Sequence, residues 1–140
     1  MLQISPRHDL TAAEINELED RLDEFNAEVS GYRDAEQIAF IATRDGEMVG
    51  GVAGYTWGGV CGIRQLWVHK DHRRSGLARK LMRLAIDEAR ARGCACVLLE
   101  TFDFQAPWLY AKLGFVVVAE IRDKPLGHTE FVMRLQLTGA

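Results

Sequence analysis

Residues 63–101 of this 140-residue chain read as strand, glycine turn, helix and strand, an order that constrains how the two strands can pair. Residues 63–68 (IRQLWV) carry an apolar strand pattern, residues 77–92 a helical one, and residues 94–101 the run of a buried strand. Two strands joined through a helix lie parallel, with a right-handed crossover. Leu77, Leu81, Leu84, Ala85 and Ala89 mark the inward face of the helix, and Gly93 ends it. The expectation is a mixed α/β domain organised around a parallel pair.

The turn inside that unit is Arg73-Arg74-Ser75-Gly76-Leu77-Ala78. The first N–H groups of a helix have no internal partners, and the macrodipole adds partial positive charge there. Gly76 lacks a Cβ, so an anion can come close to the backbone, and Ala78 keeps the first turn narrow. Arg73 and Arg74 bring forked donors that match phosphate oxygens. The functional reading is a diphosphate cradle. Taken alone, Arg-x-x-Gly-x-Ala is a loose pattern, and a solvated basic turn is the plain alternative.

Composition removes several function classes. Hydrophobic residues make up 48% and charged residues 26%, as in ordinary globular domains, and the length suits one domain spanning residues 1–140. A formal net charge of −3 argues against a general nucleic-acid binder, which needs a basic field. Cys61, Cys94 and Cys96 lack the spacing of a redox or zinc pair and read as small buried hydrophobes, with no metal expected. No apolar run is long enough to span a bilayer, and Pro6, Arg7, His8 and Asp9 break any signal-like start. A cytoplasmic location with no membrane partner is expected.

The remaining elements follow from local signals. Residues 2–4 are read as a short first strand. Thr11 and Glu14 form a capping box, and Ile15, Leu18, Leu22, Phe25 and Val29 mark the face of the helix behind it, expected to be core. Residues 37–43, 48–57 and 60–68 read as an antiparallel meander turning at Asp45-Gly46 and Gly58-Gly59. Glycines 50, 51, 54 and 62 inside these strands mark bulges or close backbone approach. Pro107 starts a short helix that Gly114 stops, and residues 115–121 and 130–137 are two last strands around a loop at 123–128.

A second segment gives the turn its context: Ala106-Pro107-Trp108-Leu109-Tyr110-Ala111-Lys112-Leu113-Gly114-Phe115. Together the two segments resemble the GNAT superfamily of acetyl-CoA-dependent N-acyltransferases. That family places an Arg/Gln-x-x-Gly-x-Gly/Ala loop before a long helix and an Ala-x-x-x-Tyr-x-Lys-x-Gly-Phe segment after the next strand. The resemblance implies a mixed sheet of about six or seven strands with a splayed central parallel pair, flanked by about four helices. It also implies acetyl-CoA as donor and an amine as acceptor. The pantetheine arm would lie along the backbone of Leu66, Trp67 and Val68, as an added strand does. The diphosphate would lie over Arg73, Arg74, Ser75, Gly76, Leu77, Ala78 and Arg79. A homodimer paired through the C-terminal strands is a further implication.

The same resemblance assigns chemistry. Tyr110 matches the family's tyrosine acid, which hydrogen-bonds the departing sulfur; the plain reading is a packing tyrosine. The base is less defined. Some relatives carry a glutamate near the start of the strand where this chain has Gly62, Ile63 and Arg64. Glu100 is the first candidate instead, and Asp103 is next, where many relatives have an asparagine touching the pantetheine arm. His69, His72, His128 and Glu130 are further contributors to weigh. Trp57, Trp67, Phe102, Phe104 and Trp108 are left as core or acceptor-pocket residues. The leading reading is an N-acetyltransferase acting on a primary amine, with a small molecule favoured over a protein amine. The competing reading is a non-catalytic acyl-CoA sensor, against which Tyr110 argues.

Overall fold

The computed structural model describes residues 1–138. Among them lie three α-helices and six strands: α1 (Ala12–Ser30), β1 (Glu36–Arg44), β2 (Glu47–Trp57), β3 (Val60–Val68), α2 (Leu77–Ala91), β4 (Cys96–Phe102), α3 (Pro107–Lys112), β5 (Val116–Arg122) and β6 (Thr129–Gln136). A single 3₁₀ turn, Lys70–His72, follows β3. The chain forms two compact units, residues 1–33 and the chain from Asp34 onward.

The first unit is α1 with its lead-in. The capping box is present, with the Thr11 hydroxyl accepting from the Glu14 amide and Glu14 reaching back to the Thr11 amide. Gly31 ends the helix in the left-handed region and donates to the Ala27 carbonyl. Two expectations differ here. Residues 2–4 form no strand: Leu2 and Ile4 are exposed, and three residues just ahead of Pro6 offer too few ladder bonds to persist. The apolar stripe of α1 is not core either, with Leu18, Leu22, Phe25 and Val29 each more than half exposed. One helix has no second surface within its own unit on which to bury a stripe.

The second unit is a six-stranded sheet in the order β1-β2-β3-β4-β6-β5. Every neighbouring pair is antiparallel except β3 and β4, which are parallel and joined through α2 as the crossover requires. Ile38, Val52, Cys61, Ile63, Val97, Leu99 and Met133 of the sheet share one core with Leu81, Met82, Ala85, Ile86 and Ala89 of α2. Each large apolar side chain buried there contributes roughly 1.5–3 kcal/mol. Leu84, expected on the inner face, is half exposed. Met82 and Ile86 take the space, because the inward stripe runs through 81–82, 85–86 and 89. The three cysteines are free and buried, and burial first of all pushes the Cys61 thiol up to about 11.

The glycines of β2 and β3 carry the close approaches anticipated for them. A Cβ on Gly54 would stand 2.0 Å from the Gly62 carbonyl oxygen, and one on Gly62 would stand 2.5 Å from the Tyr55 ring. The two positions differ in remedy: Tyr55 can rotate, whereas the Gly62 carbonyl is held in the sheet. Gly54→Ala is therefore expected to cost about 2–3 kcal/mol. Gly62→Ala should cost clearly less. Chemical denaturation of both variants checks the ranking, and equal stabilities would contradict it.

Candidate functional site

The site begins with a ladder that stops early. β3 and β4 pair only from Val60↔Cys96 to Ile63↔Leu99, although β3 continues to Val68 and β4 to Phe102. Beyond Ile63, β3 is held on its other side by β2, through Gln65↔Ala53, Leu66↔Val52, Trp67↔Gly51 and Val68↔Gly50. Beyond Leu99, β4 is held by β6, through Glu100↔Val132, Thr101↔Phe131 and Phe102↔Glu130. The parallel pair thus splays in the middle of the sheet. The residues facing the gap have backbone groups with no ladder partner, and unpaired strand groups invite an added strand.

A β-bulge marks the onset of the splay. Gly54 pairs with Ile63 and Ala53 with Gln65, so Arg64 is the extra residue. A bulge bends its strand and increases the local twist, which directs β3 away from β4 from this point. The guanidinium of Arg64 lies 5.0 Å from the centre of the Tyr55 ring. Arg64 was not singled out from the sequence; the density of glycine in β2 and β3 was the available signal.

The turn after β3 lies beyond the wide end of the gap. Arg73 donates from Nε to the Val68 carbonyl at 3.2 Å, and Ser75 hydrogen-bonds the His72 carbonyl. Arg74 (φ 60°) and Gly76 (φ 83°) both take the left-handed conformation, on either side of Ser75. A non-glycine residue there costs about 1–3 kcal/mol, a cost that recurs at ligand-binding turns. Gly76 is the N-cap of α2 and provides no side-chain hydrogen bond. The first-turn amides of Leu77, Ala78 and Arg79 are thus left without the capping that α1 enjoys. A cleft of about 310 Å³ beside the loop is lined in part by Arg44, His72, Ser75 and Lys80, which extends its basic character. His69 is engaged locally, accepting at Nδ1 from the Asp71 amide.

Tyr110 lies in the core. It projects from α3, whose first residue is Pro107, and it belongs to the same buried cluster as Ile63 and Leu99, the last paired residues of the parallel ladder. Its ring meets Phe115 edge-on at 5.9 Å. Burial pushes the phenol above its ordinary pKa, so it keeps its proton at neutral pH.

Acidic residues collect along β4 and β6. Glu100 is exposed on β4, on the same sheet face as Phe102 and, across the ladder, Glu130. Glu130 is buried and accepts from Lys124 Nζ at 2.8 Å. That hydrogen bond and the Glu130 charge push Lys124 up, and Glu100 adds to the effect. Asp103 directs both carboxylate oxygens toward the β5–β6 hairpin: Oδ2 accepts from the Thr129 amide and Oδ1 pairs with His128 Nδ1, each at 2.9 Å. Partial loss of water raises the Asp103 carboxyl, but the Thr129 amide and then His128 outweigh it and hold it below the usual range. The sequence-predicted residues therefore form a donor-rich loop, an open strand edge, a buried phenol and an acidic corner. Trp67 and Trp108 are exposed, and Phe102 stacks on Phe104 at 5.2 Å. No group of side chains fit to hold a metal occurs among the described residues.

Residues 6–115 match the family model described as the acetyltransferase (GNAT) family. The chain is 38% identical over 95 residues to the blasticidin-S acetyltransferase of Streptomyces morookaense, covering 66% of this chain and 68% of that protein. It is 34% identical over 122 residues to the IAA acetyltransferase of Azospirillum brasilense, covering 79% and 80%. Among solved structures, an acetyltransferase from Bacillus cereus superposes with a TM-score of 0.80 at 25% identity, covering 97% and 98%.

The loop geometry leads to a direct binding prediction. Inorganic pyrophosphate should raise the melting temperature of the protein in a saturable way. Ligand at 100 times its dissociation constant stabilises by about 2.7 kcal/mol. The double variant Arg73→Ala/Arg74→Ala should lose most of that response. An equal response in both proteins would remove the loop as the anion site.

Proposed function

The chain belongs to the GNAT family of acetyltransferases, and from that premise we propose that it transfers an acetyl group from acetyl-CoA to a primary amine of a small molecule. The observation that carries the proposal is the splay beyond Ile63 and Leu99, which opens toward the Arg73–Gly76 turn at one end and has Tyr110 in the cluster at the other. The reading takes residues 1–140 as one acetyltransferase domain acting in the cytoplasm.

The donor would be held mainly by backbone. Leu66, Trp67 and Val68 present an open strand edge to the pantetheine amides, as a neighbouring strand would. The diphosphate falls to Arg73, Arg74, Ser75, Gly76, Leu77, Ala78 and Arg79, through turn and helix amides and two guanidinium groups. Asp103, with both oxygens turned to the hairpin, would border the arm rather than grip it.

The acceptor must lose a proton before it can attack. An alkyl ammonium with a pKa of about 10.4 is only a few parts in ten thousand neutral at pH 7. Glu100, exposed beside the gap, is the carboxylate we assign to that ammonium. As the C–S bond breaks, the protonated Tyr110 phenol donates to the departing sulfur. The names of the relatives support a small acceptor, since two of them refer to blasticidin-S and IAA. The edge strand β5, with Val116, Val117, Val118 and Ile121 exposed, supports a homodimer paired through the C-terminal strands.

Release of free thiol from acetyl-CoA with a panel of amines tests the function. Wild-type protein should release thiol only when a suitable amine is present. Tyr110→Phe should lower kcat by about 100-fold while leaving acetyl-CoA affinity within about twofold. Unchanged turnover with a good acceptor would reject Tyr110 as the acid. Glu100→Gln should act mainly on the KM of the amine, raising it about tenfold for loss of about 1.4 kcal/mol of charge attraction.

A further inference from the structure

Glu100 can draw an ammonium toward the site, but the corner beside it contains a group better suited to removing the proton. His128 precedes β6, and its Nδ1 stands 2.9 Å from Asp103 Oδ1. Asp103 directly follows β4, and its other oxygen is fixed by the Thr129 amide at 2.9 Å. The pairing is locked further by backbone: the Asp103 amide donates to the Thr129 carbonyl at 2.9 Å, and the His128 amide to the Pro125 carbonyl at 2.9 Å. The edge of the Phe104 ring or of the imidazole meets its neighbour at a centroid distance of 5.0 Å, and Phe104 stacks on Phe102. Phe102 lies opposite Glu130 and shares its sheet face with Glu100. One continuous wall therefore runs from Glu100 to the imidazole.

The direction of the hydrogen bond can be assigned from the partners. An ionised carboxylate only accepts, so Nδ1 must carry the hydrogen it gives to Asp103. In the neutral imidazole the lone pair is then on Nε2, at the other edge of the ring. The His128 side chain is 48% exposed, so the ring is open to a ligand as well as anchored. We propose that His128, held in this tautomer by Asp103, is a general base of the acyl transfer and takes the proton of the acceptor ammonium at Nε2. Asp103 is a positioning residue. This proposal rests on the acetyltransferase reading above and deepens it: Glu100 attracts the ammonium, and His128 removes its proton.

The step balances. One proton passes from the ammonium to Nε2 and then to solvent, which frees the nitrogen lone pair. That pair forms the new C–N bond, and the C–S pair leaves on sulfur. The nitrogen's second proton offsets the thiolate, giving the thiol by way of the Tyr110 hydroxyl. Other charged groups at this corner are Lys124 paired with Glu130, Asp123 bonded to the Gly127 amide, and Glu100.

The test is the pH dependence of kcat/KM for thiol release with the best amine, in wild type, His128→Gln, His128→Ala, Asp103→Asn and Glu100→Gln. Acetyl-CoA thermal shifts on the same preparations confirm that each variant is folded and binds donor. Wild type should show an acid limb. His128→Gln should lose that limb and about 100-fold in rate, and added imidazole should restore part of the rate to His128→Ala. Asp103→Asn should lower kcat, because the tautomer is no longer fixed, while leaving acetyl-CoA affinity within about twofold. A purely structural role would produce neither imidazole rescue nor loss of the limb. Retention of the wild-type limb in His128→Gln, or its loss in Glu100→Gln instead, would overturn the proposal. If wild type turned over no amine at all, the acetyltransferase reading itself would fail, and this inference with it.

Discussion

The structure depends on a pairing that ends before its strands do. Sheets are held together by ladders, and a ladder that stops at Ile63 and Leu99 leaves an internal edge with unmet hydrogen bonds. The fold tolerates that edge because each strand has a partner on its far side. Leu66 and Val68 also pack into the core formed with α2 while their backbone borders the gap. The open edge is therefore rigid. A template that needs no ordering on binding loses little entropy when a ligand strand is added. The bulge at Arg64 makes this possible, and it in turn requires Gly54, where a side chain would strike the Gly62 carbonyl.

Charge is distributed along the gap rather than over the molecule. The net charge of −3 conceals a basic loop with Arg73, Arg74 and the uncapped amides of α2 at one end. It equally conceals an acidic corner with Glu100, Asp103 and Glu130 on the β4 side of that same end. A basic turn on the β3 side and an acidic corner on the β4 side suit a reaction that brings a phosphate-bearing donor and a protonated amine together.

What could be read from the sequence was local or periodic. The strands, α2, α3 and the Arg73–Ala78 turn follow from repeats of two and 3.6 residues punctuated by glycine and proline. Glycines 54 and 62 announced close approach without saying to what. The apolar stripe of α1 suggested core, yet stripe and burial are separate facts, and its unit supplies nothing to cover it. Residues 2–4 had strand composition but no ladder. The Asp103–His128 pair was the hardest feature to foresee, since it joins the end of β4 to a turn 25 residues later. No periodicity reports a contact between two loops. From the sequence alone, Asp103 stood as a cofactor neighbour or a second base, and His128 as one of several histidines.

The two groups proposed to handle protons are held in opposite ways, and that contrast would give the chemistry its direction. Tyr110 lies in an apolar cluster, where burial disfavours the phenolate and keeps the proton on oxygen. His128 lies at an exposed corner against a carboxylate that two hydrogen bonds keep ionised. An acid needs its proton retained until sulfur departs, and a base needs a lone pair aimed and refreshed by solvent. Burial supplies the first condition and exposure with a fixed tautomer supplies the second. Exchanging these environments would leave the imidazole with no route for its proton.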